Sequence, residues 1–206
     1  MRGGWALALA WFLAAPAAAQ LQGESVALDR ETIVAGLSHA NVAITADFTG
    51  EEILVYGAVR RTAPPPEGPR LEVIVTIEGP PTPVTVRRKD RVFGVWANVE
   101  TVHIDRAPSF YAIASTGDLA QILSRAENLR HRITIPRAIG FTGAAPPQTD
   151  PAPFVDALVR IRRAEGRYAV GEGGVGLAED TLFHAEVRLP ANLTEGDYRV
   201  RMFLLR

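Results

Sequence analysis

Four cations stand within five residues at Arg87-Arg88-Lys89-Asp90-Arg91. On an extended strand, Arg87, Lys89 and Arg91 line one face and Arg88 the other. Like charges side by side repel unless they meet solvent, carboxylates or an anionic partner. One reading is a solvated sheet edge, partly paired with Glu72, Glu78 or Glu100. The other is a contact for phospholipid headgroups, an oxyanion or an acidic loop of a membrane-protein partner. Trp96 and Asn98 follow closely and put an aromatic ring and an amide beside the charges. Arg160, Arg162 and Arg163 are further cations that could extend the same patch.

Other chemistries find weaker footing. A metal site needs convergent His, Cys or carboxylate ligands. His103 and Asp105, two apart on one strand face, are the one such pair, and a third ligand must come from elsewhere. The commoner state of such a histidine is partly exposed and hydrogen-bonded. Soft-metal handling lacks its ligands, because the chain has no cysteine and, past its first residue, a single methionine, Met202. Gly171, Gly173 and Gly176 match GxGxxG, which binds dinucleotides only where it joins a strand to a helix N-terminus. Here a loop and a strand follow, so a glycine turn is expected and no nucleotide. No GxSxG motif occurs, and Ser109, Ser115 and Ser124 have no recognisable nucleophile setting. No catalytic residue is assigned and no cofactor is expected.

Two-residue alternation broken by turn residues covers most of the chain, which indicates strands. Strands are expected over 24–29, 41–47, 52–60 (EILVYGAVR), 71–78 (LEVIVTIE), 84–95 as one strand or two, 99–105, 110–114, 181–189 and 197–205. In 71–78, Leu71, Val73, Val75 and Ile77 face inward, and Glu72, Thr76 and Glu78 outward. Residues 62–69 (TAPPPEGP) are an exposed proline-rich connection. Residues 118–131 follow helical spacing through Leu119, Ile122, Leu123, Ala126 and Leu129, with Thr116 or Asp118 as the cap. After a loop at 139–153, residues 151–165 form a second helix. Phe154, Val155, Leu158 and Ile161 line its apolar side, and Gly166 ends it.

The expected fold is therefore mainly β: one or two antiparallel immunoglobulin-like sandwich units with a two-helix insertion. The boundaries are a leader at 1–19, an N-terminal β region at 20–115, helices at 116–166, and a C-terminal β hairpin at 167–206 that completes a sandwich. A tyrosine after Gly-Asp at the start of the last strand, Tyr198, is expected to pack its ring and reach a loop carbonyl with its hydroxyl.

The leader sets the compartment. Residues 1–19 carry Arg2, an apolar run and Ala17-Ala18-Ala19, which reads as a secretory signal cleaved after Ala19. An exported chain without cysteine has no disulfide framework and stands on its core alone. The net charge of −1 gives no argument for nucleic-acid binding. Only Lys89 among the 22 basic residues is lysine, a bias of coding composition before function.

Several segments together resemble a family of single-pass alphaproteobacterial transmembrane proteins of unknown function. They are 42–56 (VAITADFTGEEILVY) with Gly57, 86–98 (VRRKDRVFGVWAN), 108–111 (PSFY) and 189–204 (LPANLTEGDYRVRMFL). The resemblance implies a periplasmic β domain held at the inner membrane by a helix that would lie beyond Arg206. It implies no reaction. The expected function is a non-catalytic periplasmic accessory domain that contacts a membrane-protein partner or envelope ligand through 87–98. The alternatives are a small-anion or metal-binding accessory of a transporter, and an envelope hydrolase.

Overall fold

The structure is a computed structural model that describes residues 31–42, 47–62, 68–141 and 150–206. The expected leader, the strand at 24–29, residues 43–46 of the strand at 41–47 and most of the proline-rich loop lie outside the described residues. The rest is mainly β and largely antiparallel. Its strands are β1 (Glu31–Leu37), β2 (Gly50–Arg61), β3 (Glu72–Glu78), β4 (Pro81–Val92), β5 (Val95–Pro108) and β6 (Tyr111–Ser115). Four helices follow: α1 (Leu119–Ile122), α2 (Arg125–His131), α3 (Ile135–Ala138) and α4 (Ala152–Ala164). The chain closes with β7 (Tyr168–Glu172), β8 (Val175–Ala178), β9 (Leu182–Pro190) and β10 (Arg199–Leu205).

These elements make three layers. An outer sheet has the order β1-β2-β9-β8, and a central sheet the order β10-β3-β6-β7. The first core lies between the two sheets. Val55, Phe183 and Ala185 of the outer sheet meet Val73, Val75, Ile77 and Ala112 of the central one. A second core lies on the other face of the central sheet. There Ile74, Tyr111 and Ile113 meet Ile133, Ile135, Phe154 and Leu158 from the helical layer.

The helical layer follows from one strand pairing. β6 and β7 run parallel, and parallel neighbours need a long crossover that lies over one face of the sheet. Residues between them supply it. Thr76, expected to face solvent, is instead fully buried on that covered face. The expected first helix is two, because Leu123 takes an extended conformation and Ser124 caps a new start by accepting from Glu127 N at 3.2 Å. Asp118 caps α1 through Ala120 N at 2.8 Å, while Leu129 is left exposed. The short α3 falls outside both expected helices. In α4 the buried stripe is Phe154, Val155, Leu158 and Val159, and Ile161 is exposed. Its C-terminus is a Schellman turn: Gly166, at φ 72°, donates to Arg163 O and Arg167 donates to Arg162 O.

Two corrections concern connections. β9 and β10 lie in different sheets and do not pair, so the C-terminal segment is no hairpin. Residues 191–198 carry the chain from one sheet to the other across the first core. Tyr198 fixes that corner: its hydroxyl donates to Thr194 O at 2.8 Å and its ring packs on Phe110. Burial of the ring raises its phenol pKa. Likewise Gly171, Gly173 and Gly176 join β7 to β8, strand to strand across the sheets, with Gly173 at φ 72° making the turn. The motif leads into a strand and not into a helix.

Polar ties hold the layers in register. Arg206 and Arg61 both donate to Glu31, at 2.8 and 2.7 Å, and together hold its carboxyl below the usual range. Tyr111 donates to Ile133 O at 2.9 Å and accepts from Arg201, which also donates to His131 O and pairs with Glu78 at 3.7 Å. Tyr168 donates to Pro108 O at 2.7 Å.

Candidate contact site on the β4–β5 hairpin

β4 and β5 form a sheet of their own, a two-stranded ribbon outside both larger sheets. A hairpin alone is marginal in water, so its foot must be anchored. Val86, Val102, Ile104 and Ala107 supply the anchor by entering the second core. From Arg87 to Val99 every residue is exposed. The ribbon therefore stands out past the layer that holds it.

Strand pairing decides which side chains share a face, because partners opposite each other point the same way. Val86 opposes Val102, and Arg88 opposes Glu100. The register then slips: Lys89 opposes Asn98, leaving Val99 as the extra residue of a bulge. Beyond it Arg91 opposes Trp96, and Val92 opposes Val95. One face thus carries Thr85, Arg87, Lys89, Arg91, Trp96, Asn98, Thr101 and His103. The other continues the buried stripe outward as Arg88, Asp90, Val92, Val95, Ala97 and Glu100. The bulge is what brings Trp96 and Asn98 onto the face of the three cations.

The tip is a two-residue turn with both central residues at positive φ, Phe93 at 49° and Gly94 at 85°. Such turns favour asparagine before glycine, and a bulky aromatic there is an outlier. Phe93 is fully exposed, so its ring gains nothing from the fold in return. Val92, Val95 and Trp96 beside it are 41, 69 and 68 % exposed. Single exposed apolar residues are ordinary, but four around one turn form a patch.

Among the charges, Arg88 pairs with Glu100 at 3.5 Å, and Asp90 accepts from its neighbour's backbone, Arg91 N, at 2.7 Å. Glu72 and Glu78, the other carboxylates named as partners, are engaged by Thr116 and Arg201 instead. Four cations therefore face two carboxylates along residues 87–100. At the ribbon's foot, Arg87, Arg88 and Lys89 border a cleft of about 510 Å³ opposite α4. Arg160 joins them there, with Phe154 and Ala157 as floor. Arg162 instead pairs with Glu165 at 3.3 Å, and Arg163 lines a separate cavity beside Tyr168 and Glu172.

His103 shares a hydrogen bond with Thr85 Oγ1 at 2.9 Å across the ribbon. Among the described residues, no three His, Asp or Glu side chains gather as a metal site around His103 and Asp105 or elsewhere. Ser115 donates to Gly117 O and Ser124 caps α2, which are structural uses of both hydroxyls. Sequence reasoning missed Phe93, Val92 and Val95 as site residues. Gly94 was the available signal, since Phe-Gly between two alternating runs marks a tight turn.

No helix among the described residues is long and apolar enough to cross a membrane. No curated protein and no solved structure matches the chain. A family described as "Putative transmembrane protein (Alph_Pro_TM)" matches residues 32–206, the span that holds both sheets, the helical layer and the hairpin. The chain belongs to this family, the one its sequence resembles.

Proposed function

We propose that this protein is a non-catalytic accessory domain on the periplasmic side of the inner membrane. Its β4–β5 hairpin is the element that meets a membrane-bound partner or envelope ligand. The observation that carries this reading is the hairpin tip. It presents a strained, fully exposed Phe93 and an exposed Trp96 beside Arg87, Lys89 and Arg91, where the fold itself asks for none of them. The leader and the membrane family support the compartment.

Charge reversal tests the contact. The variant Arg87→Glu/Arg88→Glu/Arg91→Glu changes only exposed side chains, so its thermal midpoint should stay close to that of the wild type. In a strain lacking the native gene it is expected to fail complementation and to lose the membrane components recovered with the wild type. Full complementation with unchanged recovery would remove this surface as the site.

A second reading rests on the cleft between the ribbon and α4. Arg87, Arg88, Lys89 and Arg160 line it together with Glu100 and Asp150, an excess of two cations that suits a small oxyanion bound for a transporter. A ligand at a hundred times its dissociation constant stabilises the folded state by about 2.7 kcal/mol. Phosphate, sulfate or a carboxylate should then raise the thermal midpoint, and Arg160→Ala should abolish the rise. No rise with any of them ends this reading.

A further inference from the structure

We infer that the hairpin tip is a bilayer-inserting anchor: Phe93, Val95 and Trp96 enter the interface of an anionic membrane, Arg91 binds its headgroup phosphates, and Lys89 and Arg87 behind it are drawn to the anionic surface. This rests on the hairpin being the contact element, and it names lipid as the partner.

The distribution of apolar groups favours lipid over a protein groove. Val92 and Val95 lie on one face of the ribbon, Trp96 on the other, and Phe93 caps the turn between them. The tip is apolar all round. A protein partner covers one side of a ribbon and leaves the other wet, whereas a bilayer surrounds whatever enters it. The paired Val92 and Val95 close the strand ladder at the turn, so the tip enters with the backbone of that last pair engaged, as an apolar medium demands.

Spacing places the cations. A strand advances about 3.4 Å per residue. Arg91 therefore stands about 7 Å behind Phe93, and Lys89 about 14 Å behind it. The polar layer outside each side of the hydrocarbon core is roughly 5–8 Å deep. With Phe93 and Val95 at the acyl boundary, Arg91 meets the headgroups, Lys89 stands just outside them, and Arg87, about 20 Å behind Phe93, feels the anionic surface only through solvent. Trp96, opposite Arg91, lies at the same level, where the amphipathic indole is at home. The four cations and two carboxylates of residues 87–100 make that end of the ribbon locally positive on a chain of net charge −1. That local excess is complementary to an anionic leaflet and to no general acidic target of the chain's own making.

The test uses the chain from Gln20, as the expected cleavage after Ala19 leaves it, in which Trp96 is the sole tryptophan. Vesicles are phosphatidylcholine alone or mixed with phosphatidylglycerol, and binding is read by co-sedimentation and by Trp96 emission. A cation near an anionic surface contributes roughly fivefold in partitioning. Arg87→Glu/Lys89→Glu/Arg91→Glu should therefore lower binding to the mixed vesicles at least about a hundredfold. Phe93→Ser/Val95→Ser should lower it roughly tenfold and abolish the blue shift of Trp96 that the parent shows. Inorganic phosphate at matched concentration should not compete, which separates a bilayer from a free oxyanion.

The idea is overturned if both variants bind vesicles like the parent, or if Trp96 emission does not shift on the mixed vesicles. In that case, failed complementation by the charge-reversed chain would still uphold the hairpin as a contact, with a protein as its partner. Tip-dependent vesicle binding combined with full complementation would instead refute the hairpin's place in the function while leaving its lipid chemistry standing.

Discussion

Raising the pH from about 10 to about 12 is expected to remove much of this protein's stability, with Tyr111 and Tyr168 as the groups responsible. Burial pushes the phenols of both up to about 12 from an ordinary value of 10.0. Arg201 beside Tyr111 and Arg162 near Tyr168 oppose that rise without cancelling it. A raised acid pKa means that the folded state prefers the neutral phenol. Below about pH 10 the phenol is neutral folded or unfolded, and the stability is fully present. Between 10 and 12 the unfolded chain ionises while the folded chain does not, and stability is lost through that window. Two units correspond to roughly 2–3 kcal/mol for each tyrosine. Both together approach the lower end of the stability of an ordinary domain.

The measurement is an alkaline titration followed by circular dichroism and tyrosinate absorbance. Loss of structure should coincide with ionisation of the last two phenols. Tyr111→Phe/Tyr168→Phe removes the hydroxyls that hold Ile133 O and Pro108 O, so it should be less stable near neutrality. Between pH 10 and 12 it should lose much less further stability than the wild type. Two phenols that ionise while the protein stays folded would show that they are not sealed as described.

Both tyrosines sit where the central sheet meets the helical layer, and that boundary is also where the sequence was hardest to read. In β3, the inward set Val73, Val75 and Ile77 was legible because alternation marks one face of a strand. Thr76 on the opposite face looked like a solvent position. Its burial depends on a crossover that packs from far along the chain, and nothing within eight residues announces it. The same holds for the site. The cations of β4, Trp96 and Asn98 were legible as chemistry, and alternation put Arg88 apart from Arg87, Lys89 and Arg91. Counting alternate residues through Arg88–Glu100 would have set Trp96 opposite Val92 and Asn98 opposite Asp90. The bulge at Val99 shifts both onto the cationic face, and a valine carries no bulge signal of its own. The Schellman end of α4 and the tyrosine corner were legible because Gly166 and Tyr198 act through local geometry.

A single methyl group at Gly57 is expected to destabilise the fold by about 1–3 kcal/mol, by overfilling the first core. Gly57 lies midway along β2, directly opposite Phe183 of β9. A Cβ there would sit 2.6 Å from Phe183 Cζ and 2.8 Å from Val34 O. Neither neighbour can easily retreat. Val34 belongs to the hydrogen-bonded partner strand on one side of β2, and Phe183, 2 % exposed, is packed on the other. β2 is thus held from both edges and cannot slide outward to make room. The glycine is a packing requirement, since its φ is not among the positive values that would demand it. If that is the whole reason, relief should come from the ring. Phe183→Leu alone opens space and should cost about 1 kcal/mol or more. The pair Gly57→Ala/Phe183→Leu should then be more stable than the sum of the two single losses predicts, by roughly 1 kcal/mol in a double-mutant cycle read from urea unfolding. Strict additivity would mean that the strain is carried by the contact with Val34 O, and a Gly57→Ala protein as stable as the wild type would mean that β2 is less firmly held between its neighbours than the pairing of both its edges implies.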